Sequence, residues 1–142
     1  MEEKILLSRH DALRLRSLLV MPDAEAQNRE HLESLEYELD RAVLVDKDRL
    51  PPDRVAVDST VTVRDVDSDM SYVYTLVWPS QANAAQGRIS VLAPLATALL
   101  GYRTGSQVNW NMPGGRRRMQ IEAVRSTRFA SQDRDAQPRL IA

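Results

Sequence analysis

The apolar residues change period once along the chain, and the change falls at a charged stretch punctuated by prolines, Val45-Asp46-Lys47-Asp48-Arg49-Leu50-Pro51-Pro52. Before it, apolar residues recur at steps of three and four, the period of a helix with one buried stripe. After it they alternate, the period of a strand with one buried face. A chain of 142 residues must therefore join a helical segment to a sheet. The fold class this implies is α+β, and at roughly 100–200 residues per ordinary domain there is room for one compact domain with an appendage. The expected divisions are a helical hairpin over 1–49, a sheet domain over 50–130 and a polar, frayed tail over 131–142.

In the first segment, Ser8 and Asp11 have the spacing of a capping box with Asp in place of Glu, which predicts a helix over about 9–20. Ala12, Leu15, Leu18 and Leu19 form its apolar stripe. Pro22 cannot continue the backbone ladder, so the chain turns within 21–28, and Asn28 is placed to cap a second helix. There Leu32, Leu35, Leu39 and Ala42 make a seam for an antiparallel partner. Arg9, Arg14 and Arg16 on the first helix face Glu30, Glu33, Glu36, Glu38 and Asp40 on the second, each exposed pair adding only about 0.2–1 kcal/mol. A 12-residue helix is about 18 Å long, so the hairpin is a short finger, marginal alone and dependent on the rest of the protein.

Beyond the prolines, Val57, Ser59, Val61 and Val63 alternate with polar residues, Asp65 to Asp69 supplies a turn, and Tyr72 to Val77 makes a second strand. A polar loop, Pro79 to Gly87, leads to a short strand at Arg88 to Val91. Pro94 then opens a small, nearly all-apolar helix that ends at Gly101, a natural left-handed terminus, and its composition predicts burial against the sheet. A last hairpin joins Gln107 to Trp110 with Met119 to Val124 through Pro113-Gly114-Gly115.

Chemistry is mostly excluded. There is no cysteine, and two histidines, His10 and His31, are too few for a histidine-rich metal site. Asp65, Asp67 and Asp69 imitate the start of a calcium loop, but Met70 and Leu76 stand where its glycine and closing glutamate belong. No Gly-x-Ser-x-Gly elbow and no Gly-Lys-Ser/Thr loop occurs. These absences predict no catalytic residues, metal, cofactor or small-molecule substrate. No apolar run reaches the roughly 18–20 residues of a membrane span, and the first residues are too acidic for a signal peptide, which predicts a cytoplasmic protein. Net charge is −1, but residues 50–142 carry 11 Lys/Arg against 8 Asp/Glu. Within 103–128 six arginines, among them the run Arg116, Arg117 and Arg118, face Glu122 alone. Such a basic patch suits an acidic partner or nascent RNA, and equally a charged guard on a strand edge. Asp23 and Glu25, in the hairpin turn, are the acids best placed to project, as metal- or water-holding groups or as ordinary solvated turn acids.

The run Ile89-Ser90-Val91-Leu92-Ala93-Pro94-Leu95-Ala96-Thr97-Ala98-Leu99-Leu100-Gly101, with Asp58 to Val63, Tyr74 to Val77, Gly105, Val108 and Pro113-Gly114-Gly115, resembles the C-terminal domain shared by the Gre transcript cleavage factors, GreA and GreB, and by Rnk, the regulator of nucleoside diphosphate kinase. The resemblance covers about 52–128. It implies an FKBP-like fold, a curved antiparallel sheet wrapped on a short helix and preceded by a coiled-coil hairpin. It also implies docking at the secondary channel of bacterial RNA polymerase through the loop entering the short helix, here Ser90, Ala93, Pro94, Leu95 and Ala96. Gre factors have serine before that proline and arginine two residues after the next apolar one, where this chain has Ala93 and Thr97. They also carry an Asp and a Glu three residues apart on a long coiled coil, within an Asn-Ala-Glu-Tyr context. Here the finger is short, Asp23 and Glu25 are two apart, and the context is absent, while Glu38 to Ala42 looks Rnk-like.

The expected function is a non-enzymatic transcription modulator that occupies the secondary channel and competes with other channel-binding factors. The alternative is a transcript cleavage and elongation factor of the GreA/GreB type. An FKBP-like peptidyl-prolyl isomerase is weaker, because those enzymes line a pocket with aromatics and this chain has one Phe, four Tyr and two Trp. Direct control of nucleoside diphosphate kinase has no support in the residues.

Overall fold

The computed structural model describes residues 4–20, 30–112 and 115–126. The expected tip acids Asp23 and Glu25, the Asn28 cap, the Pro113-Gly114 turn and the tail over 131–142 lie outside them. The first segment forms β1 (Leu6–Ser8), α1 (Arg9–Leu19), α2 (Glu30–Arg41) and β2 (Val43–Val45). The Ser8 hydroxyl accepts the Asp11 N–H at 3.1 Å, so the predicted cap starts α1. Ala12 and Leu15 of α1 and Leu32, Leu35 and Leu39 of α2 are buried in one seam.

Two features of this segment differ from the expectation. β1 and β2 pair in parallel, Leu6 beside Val43 and Ser8 beside Val45, and so close the base of the hairpin. The interhelical charge match is realised by one pair among the described residues, Arg16 to Asp40 at 3.0 Å. Arg9 instead reaches Asp46, beyond β2, at 3.3 Å. The Arg14 guanidinium lies 4.2 Å over the ring of Trp78, which belongs to the sheet domain. Charge on α1 thus ties the hairpin to the rest of the chain as much as to α2.

The second segment contains β3 (Ser59–Asp65), β4 (Ser71–Val77), β5 (Arg88–Ser90), α3 (Pro94–Leu99), β6 (Gln107–Met112) and β7 (Gly115–Ser126). The sheet runs β5-β4-β3-β7-β6. Three of its pairings are antiparallel, as expected, and β4 with β5 is parallel. The polar loop explains the exception: two 3-10 turns, Pro79–Gln81 and Ala84–Gln86, carry the chain back along the sheet, so β5 re-enters in the direction of β4. Opposite Thr62 and Val63, which pair with Ala123 and Ile121, the extra residue Glu122 makes a bulge that bends β7 against β3.

One core spans both segments. Ile5, Leu7, Leu15, Leu32 and Leu35 pack with Val57, Val61, Leu76, Leu99 and Ile121, and α2 packs on α3. At Gly101 the backbone turns with φ +85, and a Cβ there would run into the Cβ of Ile5. The same residue accepts the Leu6 N–H at 3.0 Å and donates its own to the Val55 carbonyl at 2.8 Å. The end of α3 is therefore the point where β1 is stitched into the sheet domain. Among the described residues no helix is long and apolar enough to cross a membrane.

Candidate functional site

The loop from β5 into α3 is held from within. Val91, fully buried, donates its N–H to the Val77 carbonyl at 2.8 Å, which fixes the loop to the end of β4. The Ser90 hydroxyl accepts the Leu92 N–H at 3.0 Å, and the Ser90 carbonyl accepts the Ala93 N–H at 2.9 Å. These bonds make a tight turn whose residues have no freedom to fold back. Ala93 is the extended residue before the helix and offers no side-chain cap; Pro94 takes the first helical position, where its missing N–H costs nothing. The Thr97 hydroxyl donates to the Pro94 carbonyl at 2.8 Å.

Burial divides the five predicted loop residues. Leu95 and Ala96 face the core, at 5% and 0% exposure. Ser90 and Ala93 are half-buried and Pro94 is exposed. Helix phase accounts for this, since successive side chains rotate by about 100° and Pro94 and Thr97 share the outer face. The surface a partner can meet is Ser90, Ala93 and Pro94, with Thr97 beside them. Leu95 and Ala96 hold that surface in place.

The arginine run behaves differently from its linear charge. Arg116, Arg117 and Arg118 are exposed on β7, but the turn between β3 and β4 brings acids to them. Arg117 donates to the Asp65 carboxylate at 2.7 Å, and Arg118 to Asp67 at 2.7 Å. Arg64 is likewise tied to Glu122 at 2.7 Å and to Asp69 at 3.1 Å. Burial pushes the Asp65 carboxyl up, but the N–H groups of Ser68 and Asp67, and then Arg117, outweigh it and hold the group below its usual range. Bonds to Glu122 and to Asp67 raise Arg64 and Arg118 respectively. The same two N–H bonds, 3.2 Å from Ser68 and 2.9 Å from Asp67, make Asp65 the pivot of an Asx turn. The carboxylate that imitated a calcium ligand is engaged in the turn and in Arg117.

The residues over 50–126 match the family model described as "Transcription elongation factor, GreA/GreB, C-term". The chain belongs to the GreA/GreB family. Its first part, residues 3–45, matches the model of the Rnk N-terminus, so a Gre-type sheet domain here follows an Rnk-type hairpin. A GreA/GreB elongation factor structure from Nitrosomonas europaea is 38% identical, with a TM-score of 0.70 over 87% of this chain and 99% of that one. GreA of Nitrobacter winogradskyi is 37% identical over 102 residues, 72% of this chain and 65% of the relative. GreA of Aliarcobacter butzleri is 38% identical over 86 residues, 61% of this chain and 53% of the relative. The chain thus spans less than two thirds of these curated relatives. The family and the α+β Gre-type fold read from the Ile89–Gly101 run are those observed.

What the residue pattern did not reveal is the Arg14–Trp78 contact and the β1–β2 clasp. The first joins positions far apart in the chain. The second is made of three-residue strands, too short to show a period.

Proposed function

We propose that this protein binds bacterial RNA polymerase at its secondary channel and modulates transcription there in competition with other channel-binding factors, without transcript cleavage activity of its own. The observation that carries the reading is the loop into α3. Pro94 stands exposed at the head of a helix whose other side is core, and the turn before it is closed by Ser90. A rigid, largely uncharged prominence of this kind is a docking element that loses little entropy on binding. The relatives' name, transcription elongation factor GreA, supplies the process.

The hairpin argues for the non-cleaving form. At 1.5 Å per residue, the 11 residues of α1 measure only about 17 Å and the 12 described residues of α2 about 18 Å. The base of the finger is closed by β1 and β2 and its flank is held by α3 and Trp78, which shortens the free projection further. Contact with nascent RNA through Arg116 to Arg118 is the weaker part of the reading, because Asp65 and Asp67 already engage Arg117 and Arg118.

The test is displacement of a fluorescently labelled Gre factor from core RNA polymerase, with Pro94→Asp beside the wild type. Pro94 is exposed, and an acid in the first helical turn suits the helix dipole, so the variant keeps its fold. The expected result is displacement by wild type and weakening by about tenfold or more, about 1.4 kcal/mol, in the variant. No displacement by wild type at concentrations well above the cellular level would refute the partner. Equal displacement by both proteins would refute the loop. Transcript cleavage in a stalled complex on adding wild type, abolished by Asp23→Asn or Glu25→Gln, would establish the cleavage-factor alternative instead.

A further inference from the structure

The bulge in β7 decides which way its last arginine faces. Side chains alternate along a strand, and before the bulge the odd-numbered Met119 and Ile121 are buried in the core. Unbroken alternation would send Arg125 inward as well. The extra residue Glu122 shifts the phase by one, so Val124 packs on the core and Arg125 stands exposed on the opposite, outer face. There Arg125 lies beside Thr60 of β3, Thr60 beside Thr75 of β4, and Thr75 beside Arg88 of β5. Four strands thus contribute one row across the outer face, with a half-buried threonine pair in the middle and an exposed arginine at each end.

The acids near this row are matched elsewhere. Glu122 and Asp69 hold Arg64, Asp67 holds Arg118, and Asp58, two residues before Thr60, has a partner as well. The side chains of Arg88 and Arg125 form no ion pair or hydrogen bond among the described residues. The next rung along the sheet, Val73, Thr62 and Ala123, is neutral. The Thr60 and Thr75 hydroxyls bond each other at 2.9 Å, so one of the two keeps its proton for a further acceptor. Guanidinium and hydroxyl donors in one row are the groups that hold phosphate oxygens.

We propose that this row binds the phosphate backbone of double-stranded DNA without regard to sequence, through Arg88 and Arg125 with the threonine pair between them. Composition selects nucleic acid over an acidic protein. The centre of a protein interface is apolar and aromatic, whereas this face carries arginine, threonine and the amides of Gln107, Asn109 and Gln120, with Val73 its one exposed large apolar side chain among the described residues. The same face selects a duplex over a single strand, because a single strand is held by stacking bases on aromatic rings, and Tyr72, Tyr74 and Trp110 all lie on the core side of the sheet. Spacing selects two phosphates rather than one. At about 4.8 Å per strand the Arg88 and Arg125 backbones are about 14 Å apart, close to the width of about 12 Å across a major groove, so each guanidinium holds a phosphate of its own. DNA is the duplex that a protein acting at RNA polymerase meets; that choice rests on the function proposed above, and the phosphate row itself does not.

The test is fluorescence anisotropy of a labelled DNA duplex of arbitrary sequence, titrated with the full chain at salt concentrations from about 50 to about 200 mM. Two phosphates give a slope of log affinity against log salt of about −1.8, a loss of roughly twelvefold across that range. Arg88→Gln and Arg125→Gln, both at exposed positions, should each bring the slope to about −0.9 and the loss to roughly threefold to fourfold, and the double variant should bring the slope near zero. Circular dichroism and the urea midpoint establish that each variant keeps its fold. Arg9→Gln, in the hairpin and paired with Asp46, should leave affinity and slope as in wild type. A duplex that fails to bind at about 50 mM salt overturns the proposal. So does a slope that is unchanged in the Arg88 and Arg125 variants, or one that Arg9→Gln lowers equally. Tighter binding of poly-glutamate than of the duplex would assign the row to an acidic protein instead, and tighter binding of single-stranded DNA or of duplex RNA would refute the DNA duplex. None of these measurements contains polymerase, so the row can fail while the loop into α3 stands, and the reverse.

Discussion

The junction at Gly101 permits the sharpest prediction, because a second glycine provides its control. Gly101→Ala imposes two penalties. At φ +85 a side chain is in a left-handed conformation that costs about 1–2 kcal/mol. The added methyl would also meet Ile5, 1% exposed, in a core with no slack, and overpacking of this kind costs about 1–3 kcal/mol. Gly105 has a similar backbone, φ +95, but nothing lies within 4 Å of its Cβ position. Gly105→Ala should therefore cost the conformational part alone, about 1–2 kcal/mol, and Gly101→Ala about 2–5 kcal/mol. Urea unfolding followed by circular dichroism reads the difference as a shift of midpoint at constant slope. Equal losses in the two variants would refute the packing argument, since the close approach of β1 to the end of α3 would then contribute nothing.

Ala93 stands at an N-cap without a cap, so Ala93→Ser should raise stability by about 1 kcal/mol, visible as a higher urea midpoint. Arg14→Ala should cost about 0.5–1 kcal/mol by losing the guanidinium over Trp78, and should change the tryptophan emission of the folded state; an unchanged spectrum would place the guanidinium elsewhere. Because Asp65 titrates below its ordinary value, it contributes stability above the unfolded carboxyl pKa of about 3.9 and loses it as pH falls through the lower folded value. Asp65→Asn should accordingly be less stable than wild type at neutral pH and show a flatter acid limb, with the gap closing at low pH; parallel curves would contradict the linkage.

The residue pattern was informative where interactions are local or periodic. The Ser8 cap, the Leu32–Leu35–Leu39 seam, the alternation of β3 and the Pro94-to-Gly101 helix all lie within a few residues of the signal that announces them. It was misleading where charge was summed along the chain. Arg117 and Asp65 are 52 positions apart and meet because β3 pairs with β7, a fact no window of sequence contains. The loop into α3 shows both behaviours at once. Its place and its proline were legible, and the apolar composition of α3 already implied that part of it must turn inward. Grouping Leu95 and Ala96 with Pro94 as one surface disregarded the helical rotation that separates them.

α3 links the hairpin and the sheet more tightly than a division into two domains implies. Its first residue carries the exposed loop, its body receives α2 on one side and β6 on another, and its terminal Gly101 receives β1. Six helical residues therefore fix the direction of the hairpin relative to the proposed docking surface. A hairpin hinged on a flexible linker would lose orientational freedom on entering a channel; this one has lost it on folding, within a shared core, before any partner is met. The cost of that arrangement is coupling. Substitutions at Ile5 or Gly101, neither of which faces a partner, should weaken polymerase binding through the angle of the finger, whereas Pro94→Asp should weaken it with the finger undisturbed. Measured side by side in the displacement assay, with stability matched by temperature, loss of binding in the Pro94 variant alone would mean that the finger contributes nothing to affinity.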